Sequence, residues 1–351
     1  MRVGFDARYA SQGLGIGGFA RELAARLAAC DGLELVWFGP PQQAPRGSIL
    51  ARFGWRPYPL LDTRAGHSAA RSARVDVMHF TGNTGWTTRR ALPTILTVHD
   101  LIFMDTTTSG RRLRQVVGHR YARRNVARAV DAADIVATPS EEVARKVRVR
   151  LRAARVEIIP QGVDAPPSVN AVASDSPYVV AFAARDPRKE TTLAVQAWAA
   201  ARETGWNLKL LAGAGLPKDL PGHLLEDRGQ PSIEVLPYLP RQELWTVVAG
   251  ARALLYPSRD EGFGLPVLEA MTAGVPVITG LAPATMELAG EAAIMIDRRD
   301  PKASAAAALV RLAKDPALAA GLADRGRRRA TDFSWERTAA RYVQLYEEVL
   351  S

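Results

Sequence analysis

Apolar runs of strand length alternate with helix-like stretches along almost the whole 351-residue chain. In the first half RVGFDA, LELVWFG, VDVMHFT, TILTVHD, DIVATPS and VEIIP read as strands, with helical patterns over 19–29, 111–130 and 140–149. In the second half YVVAFAA, NLKLLAG, IEVLPY, ALLYPS, VPVITG and AAIMID repeat the design, with helices over 191–203, 241–250, 264–273, 284–289 and 303–314. Strands that are apolar on both faces need cover on both faces, and helices between them specify parallel pairing. The stretch DAPPSVNAVASDSP, residues 164–177, breaks the alternation; its Pro, Ser and Asp make it the linker. The expected fold class is therefore α/β, with two doubly wound Rossmann-like domains over 1–165 and 166–334. The length agrees, being too great for one ordinary core.

Composition narrows the function. Hydrophobic residues make up 47% of the chain, which is globular rather than disordered. The single Cys30 excludes an intramolecular disulfide and fits a reducing compartment, so a cytoplasmic location is expected. MRVGFDARYA reads as a strand and not as a signal peptide, and no run of about 18 apolar residues suggests a membrane span. Residues 1–165 hold 25 Lys+Arg against 14 Asp+Glu, and the remainder 21 against 22, so the +10 net charge splits into +11 and −1. A basic first half attracts phosphates, anionic head groups or nucleic acid.

In doubly wound sheets, ligands bind beyond the carboxyl ends of the strands, and with two domains a cleft faced by both sets of ends is the expected site. Four segments just after strands carry chemistry. Gly13-Leu14-Gly15-Ile16-Gly17-Gly18 lets backbone approach a ligand at a helix start, and is equally readable as a structural turn. The loop from the first strand is several residues longer than the dinucleotide-binding turn allows, which sets a nicotinamide dehydrogenase aside. His99 ends TILTVHD as either a rim hydrogen-bonding group or a satisfied core histidine. Arg185-Asp186-Pro187-Arg188-Lys189 suits a diphosphate, or is a solvated basic turn. In SRDEGFGLPVLEAMTAG, Glu261 precedes a helix that Pro266 starts and Gly274 closes. Glu261 reads as a cap or a ligand contact; Glu269, amid Val267, Leu268, Ala270 and Met271, needs a partner such as a ligand hydroxyl.

Together these residues resemble the retaining glycosyltransferases of family 4, which have the GT-B fold. EGFGLPVLEAMTAGVPV, from Glu261, matches that family's E-x7-E signature nearly letter for letter, and GFDAR, GIGGFAREL, TVHDL, ATPSEEVARKV, IIPQGVD, DPRKE and FSWERTA fall in the family's order. The resemblance implies a nucleotide-diphosphate sugar bound by 166–334, an acceptor bound by 1–165, and a last helix, within 335–351, packing back on the first domain. It places Glu261 and the backbone of Gly262, Phe263 and Gly264 on the donor sugar, Leu265 at the phosphate-facing helix start, and Glu269 on the ribose. Lys189, with Arg185 or Arg188, would neutralise the diphosphate; Tyr238 would lie by the base, Gly17 beside the phosphates and His99 near the anomeric centre. Ala183, Gly18 and Gln161 depart from the Gly, the Arg or Asn, and the Asn more usual there.

The implied chemistry is hexose or deoxyhexose transfer with retention, without a metal or other cofactor, to a glycan, lipid-linked or small-molecule hydroxyl. GDP-mannose is the favoured donor, since GFDAR, GIG and TVHDL are similar in style to mannosyl- and rhamnosyltransferases. The Arg-rich 111–130 predicts either peripheral contact with an anionic membrane or a solvated helix face. No nucleic-acid partner is expected. A nucleotide-sugar 2-epimerase of the same fold and a non-catalytic nucleotide-sugar binder are the alternatives.

Overall fold

The computed structural model describes residues 1–11, 13, 15–51, 64–89, 91–105, 113–164, 176–218, 220, 222 and 231–351. In the first half the strands are β1 (Arg2–Asp6), β2 (Glu34–Phe38), β3 (Ile49–Leu50), β4 (Val77–Phe80), β5 (Thr94–Thr97), β6 (Ile135–Thr138) and β7 (Val156–Ile158), and the helices α1 (Ile16–Leu27), α2 (Arg64–Ser72), α3 (Ile102–Asp105), α4 (Leu113–Ala132) and α5 (Glu141–Leu151). Then come β8 (Tyr178–Ala184), β9 (Asn207–Ala214), β10 (Ile233–Leu236), β11 (Ala253–Leu255), β12 (Val277–Thr279) and β13 (Ala293–Met295), with α6 (Thr191–Ala200), α7 (Arg241–Ala249), α8 (Leu265–Thr272), α9 (Pro283–Ala289), α10 (Pro301–Lys314), α11 (Pro316–Ala330) and α12 (Trp335–Leu350). Two compact units result: Met1–Gly162 with Trp335–Ser351, and Val163–Ser334.

The first unit is a parallel sheet in the order β3-β2-β1-β4-β5-β6-β7. The two-residue side-chain period of its strands supplies two cores. Leu35 and Trp37 of β2 join Val3, Phe5 and Ile95 beneath α1 and α12, while Val36 and Phe38 join Met78, Phe80 and Leu96 on the opposite face. Both faces of the central strands are covered by apolar side chains, as parallel pairing between helices requires.

The final helix belongs to this unit because of its apolar stripe. Trp335, Ala339, Tyr342, Leu345 and Tyr346 recur at helical spacing and are all buried. Two of them bring hydroxyls into the core. Tyr346 Oη lies 2.7 Å from His79 Nδ1, His79 Nε2 lies 2.8 Å from Thr97 Oγ1, and Tyr342 Oη lies 2.8 Å from the same Thr97 oxygen. The His79 ring also stacks on Tyr342 at 4.7 Å between centroids. Burial holds the imidazole neutral by pushing its pKa down to about 3.

The second unit repeats the plan as β10-β9-β8-β11-β12-β13, again parallel throughout. All twelve apolar runs form strands. The sequence patterns did not announce β3, α2, α3 or α11. The first three are short, and the Ala-, Gly- and Arg-rich α11 carries only a thin apolar stripe, Leu322, Ala323, Gly326 and Ala330. Residues 165–175 of the linker, and 111–112 of the basic helix with the side chains of 113–119, lie outside the described residues. Among the described residues no helix is long and apolar enough to cross a membrane.

Removing one hydroxyl from the buried chain tests its contribution. Tyr346→Phe leaves His79 Nδ1 without its partner, and should lower the unfolding free energy of the first unit by about 1–3 kcal/mol in urea denaturation. An unchanged denaturation midpoint would show the hydroxyl to be dispensable.

Candidate functional site

In the second sheet the strand order reverses between β8 and β11, so the connections leaving these adjacent strands diverge and open a crevice at their carboxyl ends. Residues 185–190 follow β8 and residues 256–264 follow β11, which brings the DPRKE and EGFG segments together. Arg188 fastens them. Its carbonyl accepts from Arg259 N at 2.9 Å and from Ser258 Oγ at 3.2 Å, and its Nη1 donates to the Asp260 carbonyl at 2.9 Å. The rest of the guanidinium forks onto Asp186, with Nη2 2.6 Å from Oδ2. Asp186 also caps the short turn Pro187–Lys189 by accepting from Arg188 N at 3.1 Å.

That turn presents Lys189. Its ammonium lies 2.6 Å from Glu261 Oε1 and 2.8 Å from Tyr256 Oη, and Tyr256 Oη lies 2.7 Å from the same Glu261 oxygen. The Lys189 side chain is 25% exposed and that of Glu261 12%, so the pair borders the crevice rather than the bulk solvent. Glu261 is not a helix cap: Gly264 holds the N-cap position, and Glu261 is drawn sideways into this triangle.

Arg185 behaves differently from Arg188. It is exposed and, among the described residues, makes no hydrogen bond or ion pair. Its guanidinium lies along Gly215, at φ +79°, where a Cβ would fall 2.9 Å from Arg185 Nε. The committed cation is Arg188 and the available one is Arg185. Tyr238, 61% exposed, stands beside Gly213 on the same rim, 3.4 Å from where a Cβ would be.

The α8 entrance is shaped by two opposed demands. The Phe263 side chain is buried against Phe333, 5.8 Å between centroids, so only its backbone can meet a ligand. Gly264 takes φ +111°, and a Cβ there would fall 3.0 Å from Thr285 Cγ2. Gly262 and Leu265 flank this turn, and the positive end of the α8 dipole opens beside it. The carboxyl of Glu269, one turn further on, has no hydrogen-bond or ion-pair partner among the described residues. Burial pushes its carboxyl up to about 7, against the pull of Arg241.

In the first unit His99 follows β5. Its Nε2 lies 2.8 Å from the Thr81 carbonyl, which accepts only, so Nε2 carries the proton and Nδ1 accepts from Gln161 Nε2 at 3.2 Å. The ring meets Phe19 edge-on at 4.6 Å, and burial pushes its pKa down to about 4. Both ring nitrogens are thus held by protein groups and the imidazole is neutral. The same assignment leaves Gln161 Oε1 buried without a partner. Gly17 is buried in the first turn of α1, which has no side-chain cap, and Arg21 draws the Ala10 and Gly13 carbonyls back toward that helix. Among the described residues no group of three or more His, Cys, Asp or Glu is placed to hold a metal ion.

Comparison with known proteins gives this arrangement its family. Residues 15–165 match the family described as Glycosyltransferase Family 4, and residues 165–329 match Glycosyl transferases group 1. The chain belongs to glycosyltransferase family 4. It is 39% identical over 119 residues to the O-antigen chain mannosyltransferase B of Escherichia coli, covering 33% of this chain and 30% of that protein. It is 33% identical over 192 residues to the D-inositol 3-phosphate glycosyltransferase of Salinispora arenicola, covering 50% of this chain and 42% of that protein. The chain thus spans less than half the length of these curated relatives. Among solved structures, the sucrose-phosphate synthase of Thermosynechococcus elongatus superposes with a TM-score of 0.73 at 19% identity over 99% of both chains. HepE of Anabaena, solved with UDP and glucose, gives 0.71 at 17% identity over 99% of this chain and 100% of its own. WaaG, a glycosyltransferase involved in lipopolysaccharide biosynthesis, gives 0.71 at 14% identity over 98% of this chain and 99% of its own. These likenesses establish the GT-B fold.

Sequence reasoning named Lys189 and Glu261 but passed over Tyr256, whose only signal was a hydroxyl-bearing aromatic at a strand end. It also left both arginines as candidates, because no pattern shows which one an aspartate two residues away will occupy. The two should separate experimentally. Arg188→Ala should destabilise the second unit by about 1–3 kcal/mol, since it unties Asp186 and the Asp260 carbonyl. Arg185→Ala should leave thermal unfolding unchanged. Equal melting-temperature losses in the two variants would overturn the distinction.

Proposed function

We propose that this protein is a retaining, metal-independent glycosyltransferase that moves a hexose or deoxyhexose from a nucleotide-diphosphate sugar to a hydroxyl of a glycan, lipid-linked or small-molecule acceptor. The observation that carries the reading is the Lys189–Tyr256–Glu261 triangle at the switch point of the second sheet, with the Arg185 and Glu269 side chains, which have no partner among the described residues, beside it. It combines fixed positive charge for a diphosphate with carboxylate acceptors for hydroxyls.

In this reading the ribose hydroxyls donate to Glu269 and the base lies against Tyr238. The diphosphate meets the α8 entrance, Lys189 and Arg185, and a donor-sugar hydroxyl donates to Glu261. The acceptor oxygen attacks the anomeric carbon from the face that the diphosphate leaves. The bond from that carbon to the phosphate oxygen breaks as the new one forms, and the departing oxygen takes the acceptor proton. Lys189 and Arg185 stabilise the charge that develops on the leaving group. Residues 1–165 would bind the acceptor, with Gly17 and the neutral imidazole of His99 among the residues that serve the reaction from that unit. Their net charge of +11 favours an acceptor that is anionic or presented at an anionic surface. GDP-mannose is our favoured donor, since the Escherichia coli relative is named as a mannosyltransferase.

A thermal-shift screen across nucleotide sugars should give its largest shift with GDP-mannose, and that donor should then be consumed only with an acceptor present. Epimer formed from donor alone would favour the 2-epimerase instead. Lys189→Ala should lower kcat at saturating donor by about a hundredfold or more, which single-turnover rates would read. Unchanged turnover would remove Lys189 from the leaving group.

The Glu269 carboxyl gives a pH signature. A carboxylate accepts ribose hydroxyls better when ionised, and this group ionises near pH 7 because burial has raised its pKa. Nucleoside diphosphate affinity should therefore rise about fivefold to tenfold from pH 6 to pH 8. Glu269→Gln should flatten that rise in calorimetric titrations, and a slope retained in the variant would exclude this residue.

A further inference from the structure

Tyr256 is 2% exposed and lies in the apolar cluster with Val180, Leu254, Phe263 and Val267. Phenylalanine would fill that slot equally well, so the hydroxyl is the feature that packing does not explain. A buried hydroxyl is costly unless it is bonded. This one is bonded twice, accepting from Lys189 Nζ at 2.8 Å and donating to Glu261 Oε1 at 2.7 Å. The ring is braced on its own side of the crevice. Thr279 Oγ1 donates to the Tyr256 carbonyl at 2.8 Å, Phe182 meets the ring edge-on at 6.1 Å, and the Lys189 ammonium lies 5.2 Å from its centroid.

Counting donors and acceptors shows what the hydroxyl does. Lys189 Nζ has three protons, one directed at Glu261 Oε1 and one at Tyr256 Oη. Glu261 Oε1 accepts from both neighbours. Among the described residues this leaves one ammonium proton and one carboxylate oxygen, Oε2, without a protein partner. Without the hydroxyl, Lys189 would keep a single hydrogen bond, to Glu261, on a four-carbon stem, and the ring face alone would not fix its direction. With it, the ammonium is held at two points, and its remaining proton has a fixed direction before any ligand arrives.

We propose that Tyr256 is a positioning residue, whose hydroxyl locks Lys189 and Glu261 into one donor and one acceptor aimed at adjacent groups of the same ligand, a phosphate oxygen and a sugar hydroxyl. The assignment rests on the nucleotide-sugar reading of this crevice and adds to it a group that does not itself touch substrate. Tyr256 acts on the second phosphate and the sugar. The base, ribose and first phosphate are recognised elsewhere, at Tyr238, Glu269 and the α8 entrance.

The test is Tyr256→Phe, read first by calorimetry with a nucleoside monophosphate, the corresponding diphosphate and the nucleotide sugar. Monophosphate affinity should be unchanged, whereas diphosphate and nucleotide-sugar affinities should fall by about tenfold. In turnover assays kcat should fall by about tenfold to a hundredfold, and in a Lys189→Met background the same change should have little further effect. Equal losses for all three ligands would show a structural role and overturn the proposal, as would wild-type diphosphate affinity or an undiminished effect in the Lys189→Met background. Diphosphate binding reads Tyr256 even where no sugar transfer is found. Intact binding without transfer would count against the proposed function alone.

Discussion

Parallel pairing forces each chain connection to cross a face of the sheet, and so delivers every strand's carboxyl end to one edge. Nearly every chemical feature of this protein follows from that constraint. DPRKE and EGFG are about seventy residues apart in the chain, yet they follow neighbouring strands of the second sheet. The order reverses between those strands, so the two connections leave in opposite directions and a polar crevice remains where a helix would otherwise pack.

Such a crevice collects charges, and what each charge can do depends on how it is already engaged. Arg188 and Asp186 neutralise one another and tie the two segments together, so Arg188 is a fastening. Lys189 and Glu261 are also paired, and Tyr256 bonds to both, yet each keeps part of its bonding capacity. Arg185 and Glu269 complete the set as groups of opposite sign without protein partners among the described residues. A half-buried carboxylate left in that state is an unfavourable arrangement for a free protein and a useful one for a ligand with hydroxyls to donate.

The first unit shows the complementary solution. His79 and His99 are neutral, with both ring nitrogens engaged. Around His79 one partner is Tyr346 of α12 and the other is Thr97 of β5, which also meets Tyr342 of α12, so the polar chain in the core joins the last helix to the sheet. Around His99 the Thr81 carbonyl decides the tautomer, and through it the orientation of the Gln161 amide. The side chain is therefore presented to its surroundings as an ordered neutral ring rather than as a titrating base.

Much of this was legible in the residues themselves. Apolar runs on a strand-helix alternation determine parallel sheets, because only helices can cover both faces, and all twelve runs became strands. The E-x7-E signature determined the family, since its glycines, proline and acids are spaced for one particular turn into a helix. What a linear pattern cannot carry is the partner of each charge. That Asp186 takes Arg188 rather than Arg185 depends on where the Asp260 carbonyl lies, and that lies across the crevice on another strand's connection. Tyr256 went unnoticed for the same reason: its hydroxyl has meaning only beside Lys189 and Glu261. Periodicity and signature are local properties of the chain, whereas the division of hydrogen bonds among charged groups is settled only when separate segments meet.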